Sequence, residues 1–148
     1  MTNAPTAESE AAPLRQIGEI AERTGLSLRT VRYYEEVGLL TVAQRSPGGF
    51  RLYTDEAVQR LLVIKQMKPL DFTLDQMREL LDALEELTSQ PGQARKREIR
   101  SLLADYQRLV GERIAKMRER LLGAKALQDS LDDALLPDEP VTCHGLRA

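Results

Sequence analysis

The stretch Ser27-Leu28-Arg29-Thr30-Val31-Arg32-Tyr33-Tyr34-Glu35 concentrates the side chains best suited to recognition chemistry. At helical spacing Arg29, Arg32 and Tyr33 share one face, because residues three and four apart are neighbours on a helix. Leu28, Val31 and Tyr34 then point toward a core. A guanidinium fork grips two acceptors on a guanine edge or a phosphate, and a phenol hydroxyl donates to phosphate. Ser27 and Thr30 stand at the amino end of this helix, where the dipole also favours a phosphate. A second basic group, Arg45 and Arg51 with Tyr53, is placed to reach a neighbouring backbone or minor groove. A single exposed arginine is ordinarily just a solvated surface. The combination points to non-covalent recognition of a polyanion.

Bond-making chemistry has no comparable set. The sole histidine, His144, adjoins the sole cysteine, Cys143, and no Ser/His/Asp, Cys/His or phosphate-loop arrangement occurs. Acidic residues are spread along helices beside Lys and Arg, the usual solvated pattern. An enzyme is therefore not expected. Cys143 and His144 are two soft ligands where structural zinc takes four, so no metal site and no cofactor is expected. The pair is read as incidental, with oxidant sensing by an exposed thiolate as the alternative. An iron–sulfur cluster, needing four cysteines, is excluded.

At 148 residues the chain has room for one small domain plus a long appended element. Aromatic residues are only 4% and tryptophan is absent, which argues against a large core, whereas 30% charged residues suit exposed helices. The net charge of −2 does not mark a nucleic-acid binder, but a local basic face can act within an acidic chain. A lone cysteine forbids an intramolecular disulfide. Residues Met1 to Pro13 lack the apolar stretch of a secretory signal, and Leu61-Leu62-Val63-Ile64 is far too short to span a membrane. A cytoplasmic protein without membrane contact is expected.

Several elements must hold the basic face in place. Residues 1–13 are polar and proline-containing and read as a disordered leader. A helix begins near Leu14, with Ile17, Ile20 and Ala21 at core spacing, and Gly25 stops it. Ser27 caps the second helix, from Leu28 to about Val37, and Gly38 ends it. Pro47-Gly48 suits the centre of a type II turn. Phe50 and Leu52 alternate with Arg51 and Tyr53, as in a strand with the latter pair on its wet face. Thr54 caps a third helix, closing near Pro69, and Thr73-Leu74-Asp75-Gln76 is a capping box opening a fourth. Pro91-Gly92 breaks that one.

From about Ala94 to Leu136 apolar residues recur at Ile99, Leu103, Tyr106, Val110, Ile114, Met117, Leu121, Ala124, Leu127, Leu131 and Leu135. Steps of three and four make a coiled-coil seam on a helix about 60 Å long at ~1.5 Å per residue. Four short helices and a hairpin cannot cover that stripe, but a second copy can. The expected division is a domain at 14–90, a dimerisation helix at 94–136 and a flexible tail at 137–148.

Ile17-Gly18-Glu19-Ile20-Ala21, Gly25-Leu26-Ser27 and Thr30-Val31-Arg32-Tyr33-Tyr34-Glu35 through Gly38-Leu39-Leu40 resemble the MerR family of bacterial regulators. So do Arg45, Gly48-Gly49-Phe50-Arg51-Leu52-Tyr53, Val58-Gln59-Arg60-Leu61 and Phe72-Thr73-Leu74. The likeness is close over residues 14 to 87. It implies a mainly α chain, with a winged helix-turn-helix followed by a long antiparallel coiled-coil dimerisation helix. It further implies a homodimer on a near-palindromic site in double-stranded promoter DNA, bending and untwisting it so that RNA polymerase is engaged through the DNA. Carried over by position, Arg29, Thr30, Arg32 and Tyr33 meet the major groove, while Arg51 and Tyr53 act from the wing. Arg60 matches an arginine that either contacts phosphate or pairs internally. Asp71 departs from the glycine many relatives have before Phe-Thr-Leu. The chain lacks the cysteines of metal-sensing relatives at the start of the long helix, and no separate ligand domain is expected after it. A small pocket beside the fourth helix and the long helix is an alternative effector site. Two other classes suit the same residues: an architectural or excisionase-like DNA-binding accessory, and an interaction coiled coil.

Overall fold

The computed structural model describes residues 13–137. The leader up to residue 12, Cys143, His144 and the rest of the tail from residue 138 lie outside them. The chain forms β1 (Arg15–Gln16), α1 (Ile17–Thr24), α2 (Leu28–Glu36), β2 (Gln44–Arg45) and β3 (Arg51–Tyr53). These are followed by α3 (Asp55–Met67), a 3-10 turn at Lys68–Leu70, α4 (Leu74–Thr88) and α5 (Gln93–Leu135). The fold is mainly α, as expected. It separates into two units at Gln107/Arg108.

In the first unit the caps operate as the sequence predicts. Ser27 Oγ accepts from Thr30 N–H at 3.1 Å, and Thr54 Oγ1 from Ala57 N–H at 3.3 Å. Thr73 and Gln76 close a reciprocal capping box at 3.2 and 3.0 Å. Gly25 ends α1 with φ +69°, in the left-handed region where a Cβ is penalised. A Cβ there would also come within 3.2 Å of Lys65 Nζ, which donates to the Thr24 carbonyl at 2.9 Å.

The core gathers Ile20 of α1, Val31 and Tyr34 of α2, and Leu39 and Leu40 beyond it. Leu61, Ile64 and Met67 of α3 join them with Phe72, Met77 and Leu81. Leu28, expected inside, is 42% exposed; it occupies the first turn of α2, where Val31 and Tyr34 already supply the buried stripe.

The wing differs from expectation in three respects. Residues 15–16 form a strand and not the first turn of a helix, so β3 is the central strand of an antiparallel β1-β3-β2 sheet. Arg15 pairs with Tyr53, and Arg45 with Arg51. At the tip, Gly49 N–H donates to the Ser46 carbonyl at 2.8 Å, and the left-handed φ (+82°) falls on Gly49 instead of Gly48. A β-turn is thus centred on Pro47-Gly48, but it is not type II, and it forms part of a three-residue hairpin loop. The inward face is also reversed: Tyr53 is fully buried and Phe50 is 62% exposed. A three-residue strand has too few alternations to reveal which face is dry.

Helix α5 begins by running back along α4. Arg95 forks onto Glu86 at 2.7 and 2.8 Å. Farther on, Tyr106 lies against Phe72, ring centroids 6.0 Å apart, and its hydroxyl donates to the Glu79 carboxylate and lies 3.2 Å from the Gln76 carbonyl. Ile99 and Tyr106 are thus buried within their own chain, which corrects their assignment to an intermolecular seam. Leu103 is half-buried in the same unit. In the second unit, from Arg108 onward, Val110 is half-buried, while Ile114, Met117, Leu121, Leu127 and Leu131 are exposed. No helix among the described residues is long and apolar enough to cross a membrane.

Among the described residues two that are not glycine have left-handed backbones, Asp71 and Gln90, both at φ +56°. Asp71 has a short polar side chain, which tolerates the conformation better than most. Gln90 lies between α4 and α5 and bears the larger strain. Gln90→Gly is therefore expected to raise stability in urea denaturation by about 1 kcal/mol net of glycine's greater unfolded-state freedom, and Gln90→Val to lower it.

Candidate nucleic-acid interface

Helix α2 presents Arg29, Arg32 and Tyr33 to solvent, while Val31 and Tyr34 anchor its opposite side. The buried Tyr34 ring backs the exposed Tyr33 ring at 5.5 Å between centroids. At the amino end, Ser27 Oγ and Thr30 Oγ1 lie 2.8 Å apart. The cap thus shares its hydroxyl with the helix and with Thr30 at the end where the dipole is positive.

The connection from α2 to the wing runs through Glu35, a residue that sequence reasoning missed. Its carboxylate accepts from the Tyr53 hydroxyl at 2.7 Å and pairs with Arg51 Nε at 3.4 Å. Burial and this bond push the Tyr53 phenol up to about 12, against the opposing charges of Arg51 and Arg32. Tyr53 is therefore no outward DNA contact. It is the internal peg on which β3 meets α2. An acidic residue in a basic recognition segment is the signal that could have revealed Glu35, since a carboxylate there repels phosphate unless it is engaged elsewhere.

The remaining residues read as site candidates divide clearly. Arg51 is half-buried against Glu35. Arg45 is exposed and donates to the Gly49 carbonyl at 3.1 Å, bracing the wing tip. Arg60 pairs internally: it donates to the Leu39 carbonyl at 2.6 Å, to Asp82 at 2.7 Å and to Glu85 at 3.0 Å. Of its two possible roles the structure supports this one. Phe50, exposed at the wing tip between these arginines, was not singled out by sequence. Its ring lies over Gly48, where a Cβ would approach it to 3.1 Å.

Among the arginines, ion pairing singles out one surface. Of the arginines preceding α5, Arg15, Arg23, Arg51, Arg60 and Arg78 each form ion pairs. Among the described residues Arg29, Arg32 and Arg45 form none. All three lie on α2 or the wing.

A groove of about 490 Å³ opens elsewhere in this unit, between the segment after α2, α3 and α4. Leu40, Ala57, Val63 and Leu81 form its apolar wall, and Arg60 and Arg78 its cationic edge. It involves no residue of α5, unlike the pocket expected beside the long helix. Among the described residues no group of three or more His, Cys, Asp or Glu is placed to hold a metal.

Residues 15–84 match the family model described as MerR HTH family regulatory protein. The chain is similar to nodulation protein NolA of Bradyrhizobium elkanii, 42% identical over 77 residues, 50% of this chain and 35% of that one. It thus spans about a third of the length of NolA. It is also similar to the HTH-type transcriptional regulator CueR of Escherichia coli O157:H7, 30% identical over 131 residues, 86% of this chain and 96% of that one. Among solved structures it resembles HiNmlR, described as a MerR family regulator lacking the sensor domain, bound to promoter DNA. The TM-score is 0.59 at 25% identity, covering 83% of this chain and 95% of that one.

The Tyr53 peg generates a pH signature. Because the folded state holds this proton more tightly than the unfolded chain, whose phenol titrates near 10, its contribution is complete below about pH 10. It is lost as pH rises through about 12. Tyr53→Phe is expected to cost about 1 kcal/mol at neutral pH and to flatten the alkaline decline in urea-unfolding free energy. An unchanged decline would place the buried titration elsewhere.

Proposed function

Since the chain belongs to the MerR family of helix-turn-helix regulators, we propose that it is a transcription regulator binding double-stranded promoter DNA as a homodimer. The observation that carries this reading is the segregation of unpaired guanidinium groups: the fold neutralises its other arginines before α5 and leaves Arg29, Arg32 and Arg45 uncompensated. Arg29 and Arg32 meet base edges and phosphates in the major groove, with Tyr33 donating to the backbone. Thr30 and the Ser27-capped helix end add a phosphate contact. Arg45 and Arg51 extend contact from the wing, with Arg51 held in place by Glu35.

Two copies associate through the second half of α5. Ile114, Met117, Leu121 and Leu131 leave an apolar stripe exposed on a single chain, and a facing copy covers it, with Val110 and Leu103 at its near end. Two basic faces at a fixed separation then select a near-palindromic site. The binding energy supports bending and untwisting of the duplex, so RNA polymerase responds through the DNA and not by direct contact. The proposed site of action is cytoplasmic, with no catalysis. A purely architectural, excisionase-like role uses the same residues; footprinting of a near-palindrome between promoter elements, with changed transcript output, distinguishes the regulator.

Arg32→Ala is expected to weaken binding to such a duplex by about tenfold, the scale of losing one bidentate base contact, while sedimentation still shows a dimer. Unaltered affinity would remove Arg32 from the interface. Leu121→Asp is expected to yield monomers, and a dimer persisting at micromolar concentration would overturn the α5 stripe as the seam.

A further inference from the structure

The carboxyl end of α2 is secured by groups from helices outside the helix-turn-helix. The carbonyls of Tyr33 and Tyr34 accept backbone N–H groups of Val37, Leu39 and Leu40. The next two carbonyls with side-chain donors are claimed from a distance. Arg78 of α4 donates Nη2 to the Val37 carbonyl at 2.6 Å, and Arg60 of α3 donates Nε to the Leu39 carbonyl at 2.6 Å. Both guanidinium groups are held in turn by α4 carboxylates, Arg78 by Asp75 at 3.1 Å and Arg60 by Asp82 at 2.7 Å and Glu85 at 3.0 Å. Helix α2 packs chiefly on α1, whereas the segment following it faces α4 across the groove lined by Arg60 and Arg78. Two charged hydrogen bonds thus bridge a space that apolar side chains do not fill.

We infer that Arg78 and Arg60 are positioning residues that set the orientation of the recognition helix from α4, and so govern discrimination between DNA sequences. The physical reason is leverage at a helix end. Hydrogen bonds from a charged donor are short and directional, and each fixes a carbonyl whose displacement tilts the helix axis. Phosphate contacts tolerate a small tilt, because a guanidinium reaches phosphate oxygens from many directions. Bidentate base contacts do not, since they require a narrow geometry. Loosening the ties therefore erodes specific binding while leaving non-specific binding nearly intact. A change in α4 is transmitted to the DNA-facing helix along the same two bonds.

This inference rests on the proposed DNA-binding function, and the test separates the two. The full chain selects a duplex from a random pool, and fluorescence anisotropy then compares that duplex with a scrambled one of equal length. Arg78→Met is expected to lose about tenfold on the selected duplex, within the range of coupling between sites, and less than about twofold on the scrambled one. Arg78→Lys, which keeps one charged donor for the carbonyl, recovers most of the difference. Asp75→Asn, which spares the Val37 bond but loosens the guanidinium's second hold, lowers the ratio by less than Arg78→Met does. Amide exchange at Val37, Gly38 and Leu39 is expected to quicken in Arg78→Met alone. Should Arg78→Met melt below the assay temperature, Arg78→Lys carries the comparison with a loss of about threefold on the selected duplex only. An unchanged ratio in Arg78→Met, or equal losses on both duplexes, overturns the inference and leaves DNA binding standing. If the unaltered chain enriches no duplex, the proposed function fails and the inference falls with it.

Discussion

Glu35 sits where the recognition helix and the wing must agree, and its carboxylate settles the matter. One oxygen accepts a hydrogen bond from the hydroxyl of the buried Tyr53 and the other faces Arg51. An unengaged carboxylate on this face would repel phosphate, and a phenol buried beneath a strand would be costly without an acceptor. Each group resolves the other's difficulty. The consequence is geometric: β3 cannot shift relative to α2 without breaking a charged hydrogen bond in a partly desolvated place. The spacing between the α2 arginines and the wing arginine is thereby a property of the fold and not of side-chain chance. On the opposite flank Arg15 ties β1 to Asp55 at the start of α3 at 2.6 Å, and holds that carboxyl below the usual carboxylate range.

Much of this arrangement is legible in the chain because helix ends are written in local chemistry. Ser27, Thr54 and the Thr73/Gln76 pair each cap the helix that the pattern assigns to them, and Gly25 adopts the left-handed backbone its position requires. What is not legible is equally physical. Two-residue β1 has no periodicity to detect. Three-residue β3 alternates, but the identity of its dry face depends on an acceptor eighteen residues earlier in the chain. Arg60 and Arg51 look alike as letters, yet one is committed to carbonyl and carboxylate partners across the domain. Only the three-dimensional balance of pairs separates cations that hold the fold together from those left available. That balance gives Arg29 and Arg32, chosen from spacing alone, a stronger basis than Tyr53 had.

The long helix shows how a regular pattern can conceal two roles. From Ile99 to Leu131 the apolar spacing is nearly uniform, but its first part is used at home. Ile99 and Tyr106 are buried in the first unit, Tyr106 against Phe72, so the start of the helix is rooted in that unit. Beyond Arg108 the same spacing continues, but Ile114, Met117, Leu121 and Leu131 are exposed. Periodicity identifies an apolar stripe but is silent on which surface meets it, because a neighbouring helix of the same chain and one of another copy satisfy the same arithmetic. Gly111 and Gly123, each with open space around it, fall in this second part, where helix propensity alone gives weak support.

The absence of tryptophan from a chain with four tyrosines has a practical corollary. Tyr34, Tyr53 and Tyr106 are enclosed, and Tyr33 alone stands open on the surface assigned to DNA. The molecule's ultraviolet emission therefore comes from a very small set of phenols, of which one occupies the outward side of the recognition helix beside an enclosed neighbour. Such an arrangement is a native optical reporter, in which an approaching ligand perturbs one emitter while the others supply a steady background.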